Sequence, residues 1–471
     1  MALLRKEGST MEMEEKWEKK GMTRREFAKA GLAGLASIGL QGLDLDLLLD
    51  LAHAHHPPGS SHPNLPPPPI APEKNAVLRV LRWSGFVKSD EEVWNRNTKR
   101  WEEKTGGKVL LEYLSWEDVR PKAAMTASVG AGPDIVIGWY DDPHLYPEKL
   151  LDLSDLADYL GKKYGGWYDI CKQYGQSPRL KRWIALPIGG PGLTINFRES
   201  WVKEAGWEQF PTKTDDFLKL CKKLKEKGHP TGFALGHAVG DGNVWTHWAL
   251  WAFGGKIVEK DGKTIAINRP ETWNALEFAR ELYDTMIPGV ASWLDPHNNK
   301  AFLAGEISLT NNGISIYYAA KEKFPQIAED MNHANFPIGP VGRPTELHLM
   351  SQAMIFKHTR YPQAAKHYLL FMLEEDQYGP WIEAMRGYVT QGLKYFSHLE
   401  VWTRDPKHTP FRDTLLRMLP NGYAGPLGPA SAAAMAEYIV VDMFADAATG
   451  RRTAKEAARV AEERLAKIYK K

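Results

Sequence analysis

From Ala76 the chain opens on a mainly apolar run, AVLRVLRW, which predicts a strand. Ser89, followed three residues later by Glu92, predicts a capped helix whose apolar face carries Val93, Trp94 and Trp101. Gly106 and Gly107 end it. KVLLEYL (Lys108 to Leu114) predicts the next strand, and a second helical segment follows. Gly132-Pro133 then punctuates the chain before a third strand, DIVIG (Asp134 to Gly138). Strand, helix, strand, helix, strand implies parallel pairing with right-handed crossovers. In such sheets ligands sit beyond the carboxyl ends of the strands. Those ends carry Trp83-Ser84 and Trp139-Tyr140-Asp141-Asp142. At the far end of the chain, Thr453 with Glu456 forms a second capping box, and Ala457, Ala461, Leu465 and Ile468 make one apolar stripe. No tandem repeat of the solenoid kind is present.

Residues 1–75 follow another pattern. TRREFAK (Thr23 to Lys29) precedes a modest apolar stretch, AGLAGLASIGLQGL, and Ala52-His53-Ala54 fits a small-x-small cleavage site. The arginine pair resembles a twin-arginine export signal, whose cargo crosses the membrane already folded. The expectation is a signal peptide over 1–54, a mature chain starting near His55, and a periplasmic or extracytoplasmic location. HAHHPPGSSHPNLPPPPIAP, from residue 53 to 72, is too rich in proline for a helix or central strand, so 55–75 reads as an extended tether. Its histidines (His53, His55, His56 and His62) are read as solvated linker residues, with no metal assigned to them. The first cysteine is Cys171, so an N-terminal lipid-modified cysteine is not expected. Cys171 and Cys221 are expected as unpaired, buried thiols.

Composition narrows the function. The chain has 471 residues, 43% apolar and 25% charged, which excludes wholesale disorder. Its length suggests more than one core. Sixty Lys plus Arg against 58 Asp plus Glu leave a net charge of +2, which argues against a nucleic-acid binder. No uncharged apolar run approaches a membrane span. Two cysteines cannot hold an ordinary iron–sulfur cluster. No G-x-G-x-x-G fingerprint, Walker loop, H-E-x-x-H or G-x-S-x-G elbow is present. An enzyme is therefore not expected, nor a cofactor.

Several motifs fall in an order that carries a resemblance. GPDIVIGWYDD (Gly132 to Asp142) is similar to a Gly-Pro-Asp strand with an aromatic and acidic ligand-facing turn. IALPIGGPGLTINFRES (Ile184 to Ser200) resembles a crossing from one lobe to another. AFLAGEISLTNNG (Ala301 to Gly313) matches a Phe-x-x-Gly-Glu helix-to-strand signature, and FADAATGRRTAKEAARVAEERL (Phe444 to Leu465) resembles a terminal helical pair. Together they resemble the extracellular solute-binding proteins of ABC importers, in the family that includes maltose- and other sugar-binding proteins. The resemblance implies an α/β, two-lobed periplasmic-binding-protein-like fold of type II, with a ligand cleft between the lobes. The first lobe is placed at 76–188 plus about 346–402, the second at 192–340 plus about 403–471. A monomer is implied that closes on a small carbohydrate and delivers it to a membrane permease.

A sugar offers hydroxyls in the ring plane and apolar C–H faces, so its site needs aromatic platforms with convergent donors and acceptors. Trp83, Ser84 and Trp139 are the first-lobe candidates, with Asp141 and Asp142 as hydroxyl acceptors. Asn243 and Trp245 face them from the second lobe, and Asn311 and Asn312 stand where the family commonly places ligand contacts. Trp94, Trp101, Trp248, Trp251 and Trp273 are read as core, and His247 as structural. Two platforms of the maltose-binding pattern are absent: Ile314-Ser315 follows Gly313, and GPASAAAMAEY (Gly428 to Tyr438) lacks tryptophan. A small sugar, a polyol or a differently shaped oligosaccharide fits better than a long maltodextrin. Two alternatives remain: a ferric-ion binder using Tyr317-Tyr318, and, ranked below it, a glycoside-acting enzyme using Asp141 and Asp142.

Overall fold

The alternation of strand and helix folds as expected. In the computed structural model, which describes residues 62–470, the strand Val77–Trp83 pairs in parallel with Lys108–Leu114 on one side and Ile135–Trp139 on the other. Helices Lys88–Thr105 and Trp116–Val129 make the two crossovers. Ile135–Trp139 is buried at every position, as suits a strand covered on both faces. Two more strands complete this first sheet: Ser351–Ile355 runs antiparallel between Ile135–Trp139 and Leu186–Gly189. A second, antiparallel sheet has Thr194–Arg198 at its centre, flanked by Leu309–Asn312 and Met331–Ala334.

Each sheet is the floor of one lobe. Helices Pro362–Leu373 and Glu375–Ala384 pack on Lys88–Thr105 of the first. Helices Ile439–Ala448 and Ala454–Tyr469 pack on Pro270–Tyr283 of the second. The chain passes between the sheets at 190–193 and returns at 335–350. At Gly190 the two passes touch, backbone to backbone. A Cβ there would lie 1.8 Å from the carbonyl oxygen of Leu349, so only glycine fits. Beside it the amide of Leu193 donates to His348 Nδ1 (3.1 Å), which leaves Nε2–H to donate to Glu346 (2.9 Å). Arg417 donates to the same carboxylate at 3.0 Å. This buried cluster joins the passes to a third segment, through the bridge from Glu346 to Met418.

Local chemistry explains where expectation and structure part. The first crossover helix begins at Lys88, so Ser89 is inside it and does not cap it; its hydroxyl donates to Ala384 O (2.6 Å) and ties the helix to the returning chain. Gly106 ends that helix at φ 73°, a conformation that favours glycine. The box at Thr453 and Glu456 is formed. Trp94, Trp101, Trp248 and Trp251 are buried, while Trp273 is half-buried beneath Lys455. Cys171 and Cys221 are free and buried, and burial raises both thiol pKa values. The signal peptide and the first part of the tether, residues 55–61, lie outside the described residues. His62, within the tether, is not solvated: it is half-buried between the rings of Tyr164 and Tyr395 and 2.7 Å from Glu375. Among the described residues no helix is long and apolar enough to cross a membrane.

Candidate functional site

The strand ends of the first sheet lead to a line of aromatic rings. Trp83 and Trp139 face each other at 5.0 Å, and Trp139 lies 4.7 Å from Trp116, the first residue of the second crossover helix. Behind Trp83 the guanidinium of Arg82 stands 4.5 Å from the ring and is paired with Asp90 at 2.7 Å. Trp83 and Trp139 are wholly buried and leave the front of the line to Trp116, with Phe86 at 5.2 Å and Tyr388 at 6.5 Å. Those three rings form one wall of a cavity where the chain passes between the lobes.

The opposite wall is polar and comes from element starts of the second lobe. Asp241 begins the helix Asp241–Ala252, and Asp295 begins Asp295–Leu303. The Asp295 carboxylate accepts from the amides of Gly240 (3.0 Å) and Asp241 (2.8 Å), where the helix dipole favours an anion. Asn298 donates to Asp241 at 2.8 Å. Asn312 donates to Asn298 (2.8 Å) and Asn299 (2.6 Å) and accepts from Ser315 (3.0 Å). Burial raises the Asp295 carboxyl to about 6, with Glu117 adding to the effect. Burial, then the charge of Asp295, pushes Asp241 well above the usual carboxylate range. The walls approach closely and leave a cavity of only about 20 Å³ between them, and a Cβ on Gly240 would sit 3.2 Å from the Trp116 ring. Tyr140 spans the lobes beside them, donating to Val239 O at 2.9 Å.

Of the residues singled out from sequence, Asn312 lines this cavity and Trp139 stands one ring behind it. Ser84 is exposed, and its amide prolongs the sheet by donating to Leu114 O (2.7 Å). Asp141 accepts from Ser431 at 2.6 Å through Oδ2, its buried Oδ1 having no partner, and Asp142 accepts from Arg120 at 2.7 Å. Burial raises each carboxyl to about 6, against the lowering effect of those partners. Asn243 donates to Val239 O and Asn311 to Asp241 O, and each keeps a buried oxygen without a protein partner. Trp245 does not face the cleft. Its indole donates to Ala234 O (2.7 Å) and packs between Phe233 and Phe444 in the second-lobe interior. His247 bonds to Asn243 O, and burial lowers its pKa to about 4.

Sequence reasoning passed over Trp116, Phe86, Tyr388, Asp241, Asp295, Asn299 and Ser315. Trp116 carried a usable signal, for it follows the carboxyl end of the strand Lys108–Leu114. Tyr317 and Tyr318 lie in a different cavity. Tyr317 donates to Asp405 (2.8 Å) and faces Lys321 and Lys407, while Arg386 stands 5.0 Å from the Tyr318 ring. Those cations oppose a ferric ion. Among the described residues no three His, Cys, Asp or Glu side chains are grouped to hold a metal.

An aromatic wall facing an acidic and amide-rich wall across a crossing point suits capture of a polar solute. Comparison with known proteins agrees. Residues 98–410 match the family of bacterial extracellular solute-binding proteins. A binding protein of Brucella abortus (strain 2308) is 25% identical over 284 residues, which is 58% of this chain and 66% of the relative, just short of two thirds of its length. In fold, the chain is similar to the GacH receptor of Streptomyces glaucescens, solved unliganded and with acarbose, at TM-score 0.70 and 14% identity over 84% of this chain and 99% of that one. It is similar also to maltose-bound MalE3 of T. maritima (TM-score 0.69, 18% identity, 83% and 99% covered). A sugar transporter protein of Arthrobacter chlorophenolicus A6 with bound laminaribiose gives TM-score 0.70 at 16% identity, with 83% and 99% covered. Both the ordered motifs and the two-lobed α/β architecture place the chain in one group: it belongs to the bacterial extracellular solute-binding proteins.

Proposed function

We propose that this protein captures a carbohydrate between its lobes and presents it to the permease of an ABC importer. The observation that carries the reading is the facing of Trp116, Phe86 and Tyr388 against Asp241, Asp295 and Asn312 at the crossing point. Rings suit the C–H faces of a sugar, and carboxylates and amides suit its hydroxyls. The fold neighbours solved with acarbose, maltose and laminaribiose support a carbohydrate ligand. The absence of two aromatic platforms of the maltose-binding pattern, at Ile314-Ser315 and over Gly428 to Tyr438, favours a small sugar or polyol over a long chain.

Walls this close must part to admit a ligand. The three segments near Gly190, Glu346 and Met418 are the hinge, and a ligand touching both walls favours closure. No chemical step is needed. The Arg24-Arg25 pair supports export of the folded protein by the twin-arginine route. A thermal-shift screen of sugars and polyols, followed by small-angle scattering, tests the reading. At 100 times its dissociation constant a ligand should stabilise the protein by about 2.7 kcal/mol. The radius of gyration should fall and the ligand should be recovered unchanged. An unaltered scattering curve would make this a static binder, and a consumed ligand would make it an enzyme.

A further inference from the structure

The cleft holds two carboxyl groups for which its lining supplies no counter-cation. Two of its lining residues are carboxylates, Asp241 and Asp295, and none is lysine, arginine or histidine. Nearby cations are spent on other acids: Arg120 on Asp142 and Arg82 on Asp90, each at 2.7 Å. Asp295 is met only by backbone amides, and Asp241 by the amide of Asn298, all neutral donors. Glu117 of the first lobe adds a further acidic field at Asp295. Both cleft carboxyls are buried, and burial, with the nearby acids Asp295 and Glu117 adding to it, raises their proton affinity.

The opposite wall supplies the second half of the argument. Trp116 is 7% exposed and Tyr388 2%, yet the indole N–H of Trp116 and the hydroxyl of Tyr388 have no partner in the protein. Polar atoms buried this way call for partners from a ligand. A neutral sugar would satisfy them and leave the carboxylates uncompensated. An ammonium group meets the acidic wall: its charge pairs with Asp241 and Asp295, its N–H groups donate to them, and the rings of Trp116, Phe86 and Tyr388 favour a cation over their faces; the indole N–H of Trp116, a donor, is left to a hydroxyl oxygen of the same sugar.

We propose that the carbohydrate taken up in this cleft bears a protonated amine, as in an amino sugar, with the amine between Asp241 and Asp295 and the aromatic wall. This inference rests on the carbohydrate-capture reading and narrows it. The test is calorimetric titration of the purified protein with matched trios: glucosamine, glucose and N-acetylglucosamine; the galactose series; and the β-1,4 glucosamine disaccharide, cellobiose and diacetylchitobiose. In at least one trio the amine should bind about tenfold or more tighter than both neutral members. Asp241→Asn should lower the amine-to-neutral affinity ratio to near one, read as a ratio within each trio; Tyr388→Phe, which keeps the ring and both acids, should retain the ratio. Binding of neutral sugars with no trio reaching that margin overturns the amine and leaves carbohydrate capture standing. Binding by no member of the panel overturns both. The wild-type comparison decides alone should Asp241→Asn fail to fold.

Discussion

Asp295→Asn separates the cost of the cleft's charge from its geometry. The substitution keeps an oxygen for the amides of Gly240 and Asp241 and removes the charge. Burial lifts the native carboxyl from 3.8 to about 6, so the folded protein holds this proton more tightly than the unfolded chain. The stability it contributes is therefore fully present below about pH 3.8 and is lost as pH rises through about 6. The gap corresponds to about 3 kcal/mol. Relative to Asp295→Asn, the wild type should lose about that much between about pH 3.5 and 8, and at neutral pH the variant should be the more stable. Urea unfolding followed by tryptophan fluorescence across that range measures the difference. A gap between the two proteins that stays constant with pH, within about 0.5 kcal/mol, would refute the reasoning.

Trp116→Ala should weaken ligand binding by about 1–3 kcal/mol, as for a buried interface anchor, whereas Trp245→Ala should leave affinity unchanged and cost about 3–5 kcal/mol of stability. Calorimetry and thermal melts on the two variants distinguish the roles, and normal binding by Trp116→Ala would displace the cleft. Replacing Arg24 and Arg25 with lysine should leave precursor inside the cell on fractionation, and normal export of that double variant would exclude the twin-arginine route.

The sequence revealed the scaffold more fully than the site. Alternation of apolar runs with capped helices located the three parallel strands and the terminal helix, because burial on one face or both leaves a periodic trace. Ser89 misled, since a serine inside the first turn can spend its hydroxyl on a distant carbonyl. The strand-end rule led to Trp83 and Trp139, but Trp116 is interposed between Trp139 and the cavity, and nothing in local sequence states which ring stands in front. Asp141 and Asp142 looked free because their partners, Ser431 and Arg120, come from elsewhere in the chain. Asp295 left no trace at all. It reaches the cleft only because the amides at the start of a distant helix converge on it.

The interleaving of the first sheet has a consequence for how the protein is made. Its fourth strand, Ser351–Ile355, slots between Ile135–Trp139 and Leu186–Gly189, yet it is synthesised after every strand of the second sheet. During vectorial synthesis the second sheet has all its strands once Ala334 has emerged. The earlier strands must wait, with the apolar edge of Ile135–Trp139 unpaired and open to wrong partners. The sheet that begins first is thus the one that finishes last. A ribosome-bound chain stopped before residue 351 should hold a paired second sheet beside a first sheet still missing its fourth strand, and the full-length chain must be released before any machinery that demands a folded cargo can accept it.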